Sequence, residues 1–166
     1  VVDTIESLRA ELNFFHDLRD IEEVLHAYAF HLDGGERDQV IALFTEDCFI
    51  DYGIGYAPPV HGLANYKKMM YRTPLHDLVA TSHHISNVHI ELEPGAGEAV
   101  TRCNLFAYHR FTARADALMW GQYHDKLVRL DGRWLIKERR LLSAGEQGFG
   151  PDHTRVPRVG SPWAPA

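Results

Sequence analysis

At Thr81 the hydrophobic pattern changes period, and this change constrains the fold more than any other feature. Before it, apolar residues recur every three or four positions, as on one face of a helix; after it they alternate, as on a half-buried strand. Ile5, Leu8, Leu12 and Phe15 are spaced as the apolar face of a first helix that Thr4 can cap. Ile21, Val24, Leu25, Tyr28 and Leu32 form the stripe of a second helix, starting near Asp17 or Asp20. Gly34–Gly35 ends it, because glycine readily takes the left-handed C-cap conformation. The pattern then predicts a helix from about Glu36 to Phe44, a short strand over Cys48–Tyr52, a loop over Gly53–Pro59 and a helix over Leu63–Tyr71. Alternating runs follow over about Ser82–Glu93, Ala99–Thr112, Ala117–Leu130 and Arg133–Ser143, with hairpin turns at Pro94–Gly97 and Asp131–Gly132. Helices first and a hairpinned antiparallel sheet second define an α+β domain over residues 1–147. Residues 148–166 form a Pro/Gly-rich tail that is either disordered or packed across a subunit partner.

A chain of 166 residues, 45% hydrophobic, can bury a core without disulfide or metal staples. Its 17 Lys+Arg against 23 Asp+Glu lack the basic stripe of a nucleic-acid binder. Cys48 and Cys103 are too few for a secreted disulfide scaffold or a Cys-built zinc site. No apolar run approaches the ~20 residues of a membrane helix, and no signal peptide opens the chain. A cytoplasmic protein without nucleic-acid or membrane partners is expected. Its 11 His point towards chemistry.

Alternation sorts the strand side chains onto faces. His83, Ile85, Asn87 and His89 share one face of their strand, and His84, Ser86, Val88 and Ile90 the other. An inward His83 and Asn87 would need polar partners. Asp33, at the end of the buried helix where the dipole disfavours a carboxylate, is the candidate. A carboxylate on one imidazole nitrogen fixes the tautomer and leaves the other nitrogen to move a proton. The plainer alternative is an unrelated cap carboxylate and strand histidine, and His84 rather than His83 facing inward stays open. Tyr28 and Tyr52 are either oxyanion donors or ordinary core aromatics. Arg139 either binds a substrate anion or carbonyl or pairs with a surface acid. His83, His84, His89 and His109 supply enough imidazole for a metal, but no helix-spaced ligand pair appears and no metal is expected. No phosphate-binding loop, dinucleotide fingerprint or serine-nucleophile elbow is present, so no cofactor is expected.

Four blocks carry a resemblance: Ile21–Gly35 (IEEVLHAYAFHLDGG), Leu43–Tyr52 (LFTEDCFIDY), Ser82–Asn87 (SHHISN) and Asp131–Arg139 (DGRWLIKER). In order and spacing they resemble the SnoaL-like domain of the nuclear-transport-factor-2-like superfamily, over roughly residues 17–145. The resemblance implies a curved antiparallel sheet wrapped into a cone by N-terminal helices, a cystatin-like α+β barrel with an internal pocket. The match is nearest to the branch of scytalone dehydratase, bile-acid 7α-dehydratase and hexachlorocyclohexane dehydrochlorinase. That likeness implies an Asp33–His83 dyad, with Tyr28, Tyr52 and Arg139 as further catalytic groups. Asn104 is the expected inward polar group on the following strand, with Phe106, Tyr108 or His109 as alternatives. Asn87, Asn104, Phe44, Phe106 and Trp120 are expected to contact substrate, and Phe30 and Tyr56 are further pocket aromatics. The implied function is a cofactor-free lyase that removes water from a hydrophobic polycyclic, steroid or polyketide-like substrate. The alternatives are a polyketide cyclase, a ketosteroid-type isomerase, an epoxide hydrolase, or a non-catalytic binding or β-subunit module. A homotrimer or homodimer is implied, with the tail through Trp163 as an intersubunit strap.

Overall fold

The computed structural model describes residues 4–53, 57–72, 78–149 and 156. Helix α1 runs unbroken over Ile5–Asp33, where the sequence pattern predicts two helices. No Gly or Pro lies between Phe15 and Asp20 to interrupt it, and Thr4 caps its start by accepting a hydrogen bond from the Ser7 N–H. Asp17 is no cap. Its carboxylate is buried and accepts from Arg129 Nη1 at 2.7 Å and Trp134 Nε1 at 2.9 Å, fastening α1 to the far end of the sheet.

Helix α2 (Arg37–Ile41) is shorter than the pattern predicts, because strand β1 (Phe44–Asp51) already begins at Phe44. Strand β2 (Val60–His61) and helix α3 (Leu63–Arg72) follow. The long strands are β3 (Leu78–Glu91), β4 (Glu98–Phe111), β5 (Ala117–Leu130) and β6 (Arg133–Gln147). The sheet order is β2-β1-β6-β5-β4-β3, a curved sheet that stays open between its edges β2 and β3. It is mixed rather than antiparallel throughout, since β1 joins β6 in parallel. The Asp131–Gly132 turn has positive φ at both residues, 49° and 77°, the type I′ geometry whose twist suits a two-residue hairpin.

One hydrophobic core lies between the helices and the sheet, gathering Ile21, Val40, Ile50, Leu105, Leu127 and Ile136. Two β-bulges reset which side chains enter it. In β3, Ser86 pairs Asn104 and His89 pairs Arg102, so one residue is extra, and Asn87 sits there at φ 52°. The bulge turns Asn87 and His89 to solvent and brings Val88 and Ile90 against the core. In β6, Lys137 is extra between Ile136 and Glu138, so Trp134 and Ile136 point inward together with Arg139 and Leu141. Strict alternation places those pairs on opposite faces.

Candidate active site

β3 is an edge strand, and the C-terminal end of α1 lies along it. Edge N–H groups lack a strand partner, and here one is used. The His83 N–H donates to Asp33 Oδ2 at 2.7 Å. The other carboxylate oxygen, Oδ1, accepts from Thr81 Oγ1 at 2.7 Å and lies 2.6 Å from His83 Nδ1. An acceptor-only carboxylate at Nδ1 assigns a proton to that nitrogen, and Nε2 makes no hydrogen bond to a described residue. Burial pushes the Asp33 carboxyl up, but the hydrogen bonds from His83 and Thr81 outweigh it and hold Asp33 below the usual carboxylate range. These bonds also offset the unfavourable helix-end position. His84 points the other way, towards Ser82 Oγ and the ring of Phe106.

The dyad opens onto a cavity of about 200 Å³, walled by the end of α1, the start of α2, α3 and the inner face of β3–β6. Tyr28, Tyr52, Thr81, His83 and His109 supply polar groups to its lining. All 3 methionines of the chain, Met69, Met70 and Met119, lie in the apolar part. Their thioethers adapt to ring-shaped ligands.

Three phenols form a chain, with Tyr28 Oη 2.7 Å from Tyr52 Oη and Tyr52 Oη 3.1 Å from Tyr66 Oη. Burial raises the phenols of Tyr52 and Tyr66 well above their ordinary value, so both stay protonated donors. Arg139 lies behind Tyr28 and outside the cavity lining. It is fully buried, binds Asp125 through Nε at 2.9 Å and Nη2 at 2.7 Å, and is stacked 4.0 Å from the Tyr28 ring centre and 4.3 Å from that of Tyr123. Burial disfavours its charge, and the Asp125 carboxylate more than restores it. Arg139 therefore supports the tyrosines from behind the cavity wall.

Several expected contact residues lie elsewhere. Asn104 is on the outer face of the sheet, where it accepts from Gln122 Nε2 at 3.1 Å. Phe106 and Trp120 pack beside it with their rings tilted and ring centres 5.6 Å apart. The inward set of β4 is Cys103, Leu105, Ala107 and His109. The bulkier, more polar even-numbered set obscures that phase in the sequence. Asn87 is displaced by its bulge, and Phe30 is 72% exposed on the outer side of α1. Phe44 is core beneath Tyr28 and Tyr66, while Tyr56 and Trp163 lie outside the described residues.

His109 takes the place expected for Asn104. Its ring meets His83 edge-on with centres 5.2 Å apart, and its buried Nδ1 has no partner among the described residues. Burial, reinforced by the facing His83, lowers its pKa to about 4. A neutral imidazole with an unused nitrogen thus faces the dyad. His109 was among the alternatives for that place, whereas Thr81 and Tyr66 are site residues that sequence reasoning missed. Thr81 lies two residues before His83 on the same strand face, which is a usable signal; nothing local marks Tyr66.

The α+β architecture, with N-terminal helices against a curved open sheet, is that of an NTF2-like fold. The SnoaL-like domain family matches residues 14–140, and the chain belongs to that family. It is similar to a putative scytalone dehydratase from Novosphingobium aromaticivorans, with 30% identity, 87% of this chain and 96% of that one covered, and a TM-score of 0.78. A hexachlorocyclohexane dehydrochlorinase, LinA type 2, shares the fold at 12% identity, with 90% and 99% covered and a TM-score of 0.74. An NTF2-like protein with a cystatin-like fold, also from Novosphingobium aromaticivorans, shares it at 19% identity, with 87% and 92% covered and a TM-score of 0.71. No curated protein matches the chain. Among the described residues no helix is long and apolar enough to cross a membrane, and no cluster of His, Cys, Asp and Glu could hold a metal ion. Family and neighbours together support a related enzymatic role.

Proposed function

We propose that the protein is a cofactor-free lyase of the dehydratase type, acting on a small hydrophobic ring substrate. The observation that carries the reading is the Asp33–His83 pair: a carboxylate held by three hydrogen bonds fixes through Nδ1 an imidazole that lines the cavity. His83 Nε2 takes a proton from the carbon next to a substrate carbonyl, and the electron pair moves onto the carbonyl oxygen. The one O–H that the phenol chain of Tyr28, Tyr52 and Tyr66 leaves free to donate stabilises that oxygen. Collapse of the enolate breaks the C–O bond at the β-carbon, and the departing hydroxide takes the proton back from His83 and leaves as water. Neutral His109 hydrogen-bonds the reacting groups without competing for the proton. A cavity of ~150 Å³ holds benzene and drug-sized ligands need ~300–1,000 Å³, so about 200 Å³ suits one or two rings rather than a steroid.

The test is a mass-resolved turnover screen of hydroxylated mono- and bicyclic ketones and of epoxides of similar size, run beside His83→Ala. Loss of one water, abolished in the variant with its circular dichroism unchanged, is the expected result. Turnover at unchanged mass would replace the reading with a cyclase or isomerase on the same base, and a gained water with an epoxide hydrolase. Equal binding by both proteins without turnover would leave a binding module.

A further inference from the structure

One cation enters the cavity wall without a counterion. Arg37, the first residue of α2, is half-buried and is the one Lys or Arg of the lining among the described residues. The three carboxylates nearest to it along the chain are each engaged elsewhere. Asp33 holds Thr81 and His83, Glu36 is paired with His31 Nδ1, and Asp38 Oδ1 accepts from Tyr71 Oη at 2.9 Å. Among the described residues no carboxylate forms an ion pair with Arg37, whose guanidinium carbon lies 5.5 Å from the centre of the Tyr71 ring. The Tyr71–Asp38 bond ties α3 to α2 and steadies that ring against the guanidinium, while its N–H fork stays unused. An unpaired charge partly withdrawn from water is costly, and a bound anion removes that cost.

We infer that Arg37 binds a carboxylate on the ring substrate, so that the cavity takes a ring acid in preference to a neutral ring; this names the substrate class of the proposed lyase and rests on that reading. The two parallel N–H groups of a guanidinium match the two oxygens of a carboxylate. A phosphoryl group, with close to two charges, calls for a second cation, and His31, the other basic side chain on this wall, is already taken by Glu36. The rest of the wall around Arg37 is apolar, with Val40, Met69 and Met70. A ring therefore packs against these side chains while its acid group alone meets charge. Arg37 enters from the helical wall and His83 from β3. The acid group is thus held on one side of the ring and the reacting carbon is presented to the dyad on the other. Binding to an atom that does not react is how remote contacts orient a substrate for the chemical step.

All 3 methionines of the chain line this cavity, so their methyl signals report its occupancy directly. The full chain, labelled with methyl-13C methionine, is titrated with 2-naphthoate and with 2-naphthamide, its neutral counterpart of the same shape. Wild type is compared with Arg37→Gln, with Tm confirming that both are folded. At about pH 8, far above the ordinary carboxylate range, the acid is ionised. Naphthoate should shift the methionine signals of both proteins and bind Arg37→Gln about 10- to 100-fold more weakly, the usual worth of a hydrogen-bonded charge. Naphthamide should bind the two proteins alike. Equal naphthoate affinity in both proteins, an equal loss for acid and amide, or naphthoate binding that leaves the methionine signals unmoved would overturn the assignment, as would no binding by wild type. The readout needs no turnover, so the two readings fail separately. Water loss from neutral ketones alongside equal naphthoate affinities would sink the acid subsite and keep the lyase, and the reverse pattern would do the opposite.

Discussion

Burying a neutral imidazole beside the dyad ties the stability of this protein to pH through His109. In the unfolded chain a histidine titrates near 6.5, whereas folded His109 is lowered to about 4 by burial and by the facing His83. Between those values the unfolded state carries a proton that the folded state does not. Stability therefore rises with pH through this window and is lost as pH falls from above 6.5 towards 4. The gap is about 2.5 pH units, and at ~1.4 kcal/mol per unit this is ~3 kcal/mol. Asp33 and Arg114 also bear on the ring, Asp33 raising its pKa and Arg114 lowering it. The perturbation is His109→Phe, which keeps a flat ring among Phe111, Phe149 and His83 and removes the titration. Urea unfolding at half-unit steps from pH 7.5 to 4.5 gives ΔG for both proteins, and their difference cancels the other titrating groups. Wild type should lose roughly 2–3 kcal/mol relative to the variant over that range. Parallel curves would refute the assignment of His109 as a buried neutral group.

Asp33→Asn should leave the fold intact and lower kcat by about 10²–10⁴-fold, the usual range for general acid–base catalysis. Because the Asp33 carboxyl is held low, its contribution to stability is present above the unfolded pKa near 3.9 and lost as pH falls through the folded value. The Asn variant should therefore show a weaker acid transition in a melting series. Arg139→Met strands the Asp125 carboxylate in the core and should cost about 3–5 kcal/mol by denaturant titration; adding Asp125→Leu should recover much of it. Tyr66→Phe removes the outer phenol of the chain, should cost about 1 kcal/mol, and should lower kcat while leaving KM unchanged, measured by steady-state kinetics.

The dyad was legible because both of its residues sit where the pattern is clear. Asp33 immediately precedes the Gly34–Gly35 helix end, and His83 lies on the regular part of β3, before the bulge. The tyrosines were legible for the same reason, Tyr28 by helical spacing and Tyr52 at the end of a short apolar strand. Asn87 and Arg139 were not, because Asn87 lies in one bulge and Arg139 just beyond another, and one extra residue reverses every side chain that follows. Asn104, Phe106 and Trp120 were placed inward because polar and aromatic groups suit a pocket, yet only the register with β3 and β5 tells the two faces of β4 apart.

Local periodicity alone determined that this chain makes helices and then long hairpinned strands, since helical and extended backbones impose different side-chain repeats whatever surrounds them. It also determined the helix stop at Gly34–Gly35 and the tight turn at Asp131–Gly132, where φ is the controlling variable. Tertiary structure decided the rest. The parallel docking of β1 on β6, the unsatisfied N–H of an edge strand meeting Asp33, and His109 set against His83 bring together residues far apart in sequence. Such contacts depend on register and sheet order, which the whole core selects and no local spacing encodes.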